Sequence, residues 1–255
     1  MIINILNFNK IKKNTIKPSY QIYSNYTRED FDVWETLYVN QMKVISNKVT
    51  DEFINGLKIL DFNASKIPNF NEVNSKLKKI NGWGIKTVPN ITEAKEFFSC
   101  LAKKKFTSTC WLRSYSEIDY LEEPDMFHDV FAHIPMIIEQ SYANFFQNIG
   151  KLALAVINDE NKLKKIQRLY WFTIEFGLMN TPNGEKVYGA GIISSKKELE
   201  NVYSKNSIKK QFNISAILNK EYRIDNVQNE YFVIESFDQL SNSLEEVQKE
   251  LGVIV

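Results

Sequence analysis

Only two cysteines occur in the 255 residues, Cys100 and Cys110, and they stand at no paired metal-ligand spacing. That excludes a disulfide-stapled scaffold and leaves two reduced thiols in a cytosolic protein as the expectation. A charge excess is lacking too. With 32 basic residues against 31 acidic ones, the formal net charge is +1, which gives no electrostatic footprint for nucleic acid or an anionic membrane surface. No run of about 18 apolar residues is present to span a bilayer. The N-terminus places a short apolar start before its lysines, the reverse of a secretory signal, so the chain is expected to be cytoplasmic and unprocessed. Repeats, low-complexity tracts and linkers are absent, and a single domain is the economical reading.

What remains is ordinary for a globular enzyme: 44% hydrophobic and 25% charged residues, in a chain long enough to bury a sizeable core. Aromatic residues reach 13%. They serve first as core filler, and only hint at an aromatic-lined pocket.

Residues 1–26 show no period and are expected as an extended, loosely packed arm, with residues 27–255 as the main domain. Thr27 and Asp30 read as a capping box before Phe31, Trp34, Leu37 and Tyr38 at helical spacing. A second helix is expected after Thr50 and Asp51, and an Asn- and Pro-rich connection over residues 61–75. A turn follows at residues 81–84, then a helix capped by Thr92 and carrying Phe97, Phe98 and Leu101. Two further helices are expected over residues 141–156 and 160–178. Short β-rich pieces come late, at Val187–Tyr188, Ile192–Ile193 and Tyr231–Ile234. The expected class is mainly α, with a small β component (α+β). Gly189 and Gly191 read as backbone freedom at a turn, and Ser194 as a cap for a helix opening at the next residue or two.

The chain's two histidines, His128 and His133, lie within six residues of each other. Neutral imidazole is a favoured ligand for zinc, copper and iron. On an ideal helix an offset of five separates two side chains by about 140°, so convergence on one metal requires a helix end or a local distortion. Pro135 offers an end, which would place His133 at a fraying terminus. The alternative is a pair of satisfied histidines on a partly buried helix. If they do bind metal, the third ligand decides the chemistry. The zincin pattern needs one residue less between the imidazoles and a glutamate where Asp129 stands. Two clustered histidines with one later carboxylate instead fit a facial triad on non-haem iron(II). Glu175 is the candidate. Set in an apolar, aromatic run from Tyr170 to Leu178, it must face solvent, pair with a cation or bind a metal.

Four blocks, Tyr120 to Pro135, Tyr170 to Leu178, Tyr188 to Ser195 and Tyr231 to Phe237, resemble in sequence and order the pterin-dependent aromatic amino acid hydroxylases, above all the short bacterial enzymes acting on phenylalanine. The similarity runs from about Gly82 to Phe237 and is weaker upstream. It implies a single catalytic domain, a helical basket around a non-haem iron site, using Fe(II), a tetrahydropterin such as tetrahydrobiopterin, and O2 as co-substrate. His128, His133 and Glu175 match the iron ligands. Arg113 matches the arginine that pairs with the substrate carboxylate, and Ser194 a hydroxyl near it. Tyr120, Leu121, Pro124 and Trp171 fall in the substrate pocket. Phe97 matches the aromatic that stacks on the pterin, and Val88, Asn90, Ile91 and Thr92 the loop along its edge. Tyr170 and Asp129 match residues near iron and pterin.

Some positions depart from the family pattern. Ala132 stands for the usual glycine, Leu121 for the threonine of the mammalian phenylalanine enzymes, and Lys86 and Asn90 for arginine and glycine at the pterin loop. Ile224 stands where phenylalanine enzymes carry valine and tryptophan enzymes isoleucine. The resemblance therefore implies conversion of phenylalanine to tyrosine, with three alternatives: tryptophan 5-hydroxylation, phenylalanine 3-hydroxylation, or a non-catalytic relative that binds an aromatic amino acid or pterin. No regulatory domain or tetramerising helix of the animal type is recognisable, so a monomer is expected.

Overall fold

Thr27 opens the first helix, α1 (Arg28–Ile45), as expected. Its side chain accepts from Asp30 N–H while the Asp30 carboxylate accepts from Thr27 N–H, a reciprocal cap. The computed structural model describes residues 17–119, 121, 123–224 and 226–255; Tyr120 and the first 16 residues of the expected arm lie outside the described residues. The described part of that arm is tied down rather than loose. Gln21 bonds Pro68 O and Phe70 N, Tyr23 bonds Ile67 O, and the Tyr26 hydroxyl donates to Cys110 O at 2.7 Å.

Helix α2 (Asp51–Leu60) follows, then α3 (Phe70–Ile80). The connection expected over 61–75 is thus shorter than the sequence reads. Asn69, a turn former in isolation, caps α3 through Asn71 N and Glu72 N, and the same side-chain chemistry serves turn and cap alike. Gly82, at φ +84°, makes the expected turn into β1 (Gly84–Thr87), which pairs in parallel with β2 (Lys105–Ser108) around α4 (Ala94–Ala102). Thr92 does not cap α4. Glu93 holds the N-cap position, and Thr92 Oγ1 is buried without a partner among the described residues.

Helix α5 (Gln140–Ala155) packs on α4, and α6 (Glu160–Tyr170) comes next. A second sheet runs in the order β4 (Gly184–Val187), β3 (Leu178–Thr181), β6 (Glu230–Ile234), β5 (Ile208–Gln211). Its β3–β4 hairpin is antiparallel and its other pairs are parallel. Of the expected late strands, Tyr231–Ile234 and Val187 fall in this sheet, Tyr188 lies just past β4, and Ile192–Ile193 lie in a short helix, α7 (Ala190–Ile193). Gly189 O accepts from both Ile192 N and Ile193 N, so local hydrogen bonding overrides the β preference of two isoleucines. Strands β1, β2, β3 and β5, of four residues each, are too short for alternation to betray them. Helices α8 (Lys196–Val202), α9 (Ile214–Leu218), α10 (Phe237–Asn242) and α11 (Leu244–Leu251) complete the described chain. The architecture is helical with two small sheets, as expected.

Two segments break the regular winding. Residues Phe127–His133 and Trp171–Glu175 are π-helical. The first runs on into a 3-10 turn, Ile134–Ile138, against which α2 packs, with Gly56 so near that a Cβ there would lie 2.1 Å from Pro135 O. Phe127 and Phe131 stack at 4.7 Å on the outer side of the first segment and meet Trp34 of α1 and Phe53 of α2 edge-on. Burying each of these rings contributes about 1.5–3 kcal/mol, which fastens a helix whose own hydrogen-bond pattern is rarely adopted.

Candidate metal centre

The π winding resolves the geometry of the histidine pair. An i→i+5 helix brings residues five apart onto one face a turn away from each other, so His128 and His133 converge without a helix end. The expected fraying terminus does not occur. His133 is fully buried and the chain continues helically through Pro135.

The second π segment does the same for the carboxylate. Phe176 N–H reaches back to Trp171 O at 3.0 Å, Thr173 Oγ1 bonds Leu169 O, and Glu175 is turned inward. The helix expected over 160–178 therefore ends early, at the residue where the site needs a carboxylate. His133 Nε2 lies 3.1 Å from Glu175 Oε1, and His128 Nε2 lies 3.8 Å from Oε2 and 3.3 Å from His133 Nε2. Among the described residues these three offer ligand atoms all within 4.8 Å of one another.

Ser194 fixes the tautomer of His128. Its hydroxyl donates to Ala190 O at 2.9 Å, so it accepts from His128 Nδ1–H at 2.8 Å. The proton of the neutral ring is then at Nδ1, and the Nε2 lone pair faces the cluster. Burial holds His128 well below its ordinary pKa, in the neutral state that ligation requires. Burial would raise Glu175, but His133 and the Tyr170 hydroxyl outweigh it and keep the carboxyl below its usual range. Two imidazole lone pairs and a carboxylate in a dry interior are the donor set of a divalent cation. His133 packs on Phe106, ring centroids 4.8 Å apart. Ser194 is thus not the cap; Ser195 caps α8. Ser194→Ala is expected to weaken Fe(II) binding about 10–100-fold with little change in melting temperature, as read by anaerobic titration and calorimetry.

The two glycines of the Tyr188–Ser195 block are there for close approach. Gly189 has φ −71°, open to any residue. A Cβ on it would sit 2.4 Å from Glu175 O and 2.5 Å from Gly177 N, and one on Gly191 would sit 3.2 Å from Glu175 Oε2. Gly189→Ala must therefore push away the turn that ends in Glu175. Overpacking of this kind costs about 1–3 kcal/mol. The expected outcome is a lower melting temperature together with sub-stoichiometric Fe(II), both measurable on purified protein.

The remaining expected site residues divide. Tyr170 stands beside Glu175, and its ring meets Phe97 edge-on at 5.6 Å. Trp171 is buried between Tyr222, stacked at 4.5 Å, and Phe176 at 4.6 Å. Pro124 is buried and Leu121 half-buried. Asp129 does not join the three ligands. Its carboxylate accepts from Thr109 N and Oγ1, and burial pushes its pKa up to about 7. Val88 N–H is spent on Ser108 O, while Asn90, Ile91 and Thr92 are half-buried. Arg113 lies in a two-pronged pair with the fully buried Asp125, Nε and Nη2 each at 2.9 Å.

Asp125 is the functional residue that sequence reading misses. It is one acid in an acidic stretch, and only the fold shows that it is buried against a guanidinium. Gln228, which accepts from the Trp171 indole, carried no signal at all.

Comparison with known proteins agrees with this geometry. A family model described as biopterin-dependent aromatic amino acid hydroxylase matches residues 8–253. The chain is 42% identical over 223 residues to the phenylalanine-4-hydroxylase of Chromobacterium violaceum, covering 86% of this chain and 74% of that protein. It is 41% identical over 224 residues to that of Caulobacter vibrioides, covering 86% and 75%. A crystal structure of the Chromobacterium violaceum enzyme with bound iron(III) and the oxidised cofactor 7,8-dihydrobiopterin superposes with a TM-score of 0.85 at 38% identity, covering 99% of this chain and 92% of that one.

Proposed function

The chain belongs to the biopterin-dependent aromatic amino acid hydroxylase family, and from that premise we propose that it converts free phenylalanine to tyrosine with Fe(II), a tetrahydropterin and O2. One observation carries the reading: two imidazoles and a carboxylate, buried on two π-helical segments, offer their ligand atoms within 4.8 Å of one another. Relatives of both kinds support it, those named phenylalanine-4-hydroxylase and the structure holding iron and dihydrobiopterin.

In this proposal His128, His133 and Glu175 would hold the iron. Iron and reduced pterin, when bound, supply the activation of O2, one oxygen atom going to the ring and the other to the pterin. The protein holds and orients. Ser194 keeps the His128 proton on Nδ1, away from the ion. Arg113, braced by Asp125, retains further N–H groups for the substrate carboxylate, and so turns the ring inward. Trp171, Pro124 and Leu121 wall the ring pocket and exclude water, with Tyr120 assigned there by resemblance alone. Phe97, half-buried Thr92 and the loop through Val88, Asn90 and Ile91 would hold the pterin, with Tyr170 and Asp129 near pterin and iron. The working unit is residues 27–255 with residues 1–26 as an arm, acting as a cytoplasmic monomer. Free, buried Cys100 and Cys110 fit a reducing compartment, and among the described residues no helix is long and apolar enough to cross a membrane.

The test supplies iron-loaded protein with tetrahydrobiopterin, O2 and either phenylalanine or tryptophan, and identifies products by chromatography. Tyrosine as the main product is expected. Preferential 5-hydroxytryptophan, 3-hydroxyphenylalanine, or ligand binding without oxygen uptake would each replace the reading.

A further inference from the structure

The Trp171 indole N–H donates to Gln228 Oε1 at 3.0 Å, with both residues buried. Gln228 is itself held on several sides. Its Nε2 donates to Arg223 O at 2.8 Å and to Asn226 O at 3.2 Å. Its backbone oxygen accepts from Asn201 Nδ2 at 2.6 Å, and its backbone N–H points to Glu198 Oε2 at 3.4 Å. Asn201 also reaches the Tyr231 hydroxyl. The amide cannot be flipped, because that would set its oxygen against two carbonyl oxygens and its NH2 against the indole N–H. One side chain thus ties the carbonyls of Arg223 and Asn226 to Trp171.

The rings that flank Trp171, Tyr222 and Phe176, offer broad faces along which an indole can slide. The hydrogen bond is directional and fixes its position within that plane. Trp171 begins the π segment that ends in Glu175, but the bond is made by the side chain, so removing it frees the indole while leaving the ligand-bearing backbone in place. Ile224, next to Arg223, packs on the core.

We propose that Gln228 is a positioning residue for substrate selection: by anchoring the Trp171 indole it sets the wall against which the amino acid's ring docks. This rests on the reading of Trp171 as a ring-pocket wall in the proposed reaction.

Gln228→Leu keeps the size and removes the acceptor. The expected result is a KM for phenylalanine raised up to about tenfold, the cost of immobilising a freed side chain on binding, with kcat changed less than about threefold and Fe(II) stoichiometry unaltered. The preference for phenylalanine over tryptophan should shrink. In a Trp171→Phe background, which has no indole N–H, adding Gln228→Leu should move KM less than about twofold. An equal KM effect in both backgrounds, or a loss of kcat and iron at unchanged KM, would overturn the proposal. Should the leucine variant fail to fold, Gln228→Met carries the same comparison. Hydrogen exchange of the Trp171 indole, followed by NMR on 15N-tryptophan-labelled protein, is independent of turnover. Slow exchange in the unaltered protein and fast exchange in the variant are expected, and fast exchange in both would contradict the anchor. Absence of tyrosine from the unaltered enzyme would instead sink the proposed reaction, with the exchange data still reporting on Gln228.

Discussion

Glu175→Gln is expected to give a folded protein that no longer retains Fe(II) and makes no measurable tyrosine. The substitution keeps the volume of a fully buried side chain but removes the one anion in the ligand set. Removing one member of a buried charge pair costs about 3–5 kcal/mol, and if that loss falls on the metal the binding constant drops by about 10²–10⁴-fold. In the apoprotein glutamine still offers an oxygen to His133 and the Tyr170 hydroxyl, so the protein is expected to fold, its melting temperature lowered only by loss of the carboxylate's charge. The combination separates a ligand from a structural glutamate: lost iron in an anaerobic titration, lost turnover, and only a modest fall in melting temperature. A structural glutamate would give the opposite set.

Asp125→Ala is the substitution expected to damage stability most. Asp125 is fully buried and accepts from Arg113 N, Nε and Nη2, with His128 N–H also within 3.4 Å. Alanine would strand a guanidinium whose side chain is only 13% exposed. At about 3–5 kcal/mol for such a loss, and about 2–4 °C per kcal/mol in a domain of this size, the melting temperature should fall by roughly 10 °C. The KM for phenylalanine should rise as well, because Arg113, proposed above to receive the substrate carboxylate, loses its brace. Asp125→Asn, which keeps one acceptor oxygen, should fall between. An unchanged melting temperature would mean that the pair is not the brace described.

How far the residues themselves foretold this depends on the scale of the interaction. The cap at Thr27, the helix after Thr50 and the helix at 141–156 rest on contacts within a turn or two, and the structure has them. The histidine pair posed the right question, since an offset of five cannot converge on an α-helix. Its answer, π winding, is imposed by Phe127 and Phe131 packing against α1 and α2, which no local pattern reports. The same holds for Gly189. Its sequence neighbours suggest a turn, but the reason for glycine is the backbone of Glu175 at its Cα, brought there from the second π segment. Short strands such as Ile208–Gln211 and the Asp125 and Gln228 anchors are likewise products of tertiary contact.

The proposed reaction requires that the two π-helical windings aim His128, His133 and Glu175 at a single ferrous ion. The most direct measurement is a crystal structure of the protein loaded anaerobically with one equivalent of Fe(II), with the iron located by its anomalous scattering. One iron bonded to Nε2 of both histidines and to the Glu175 carboxylate is expected, with π winding kept in both segments. Iron bound elsewhere, or a Glu175 side chain turned away from the metal, would contradict it.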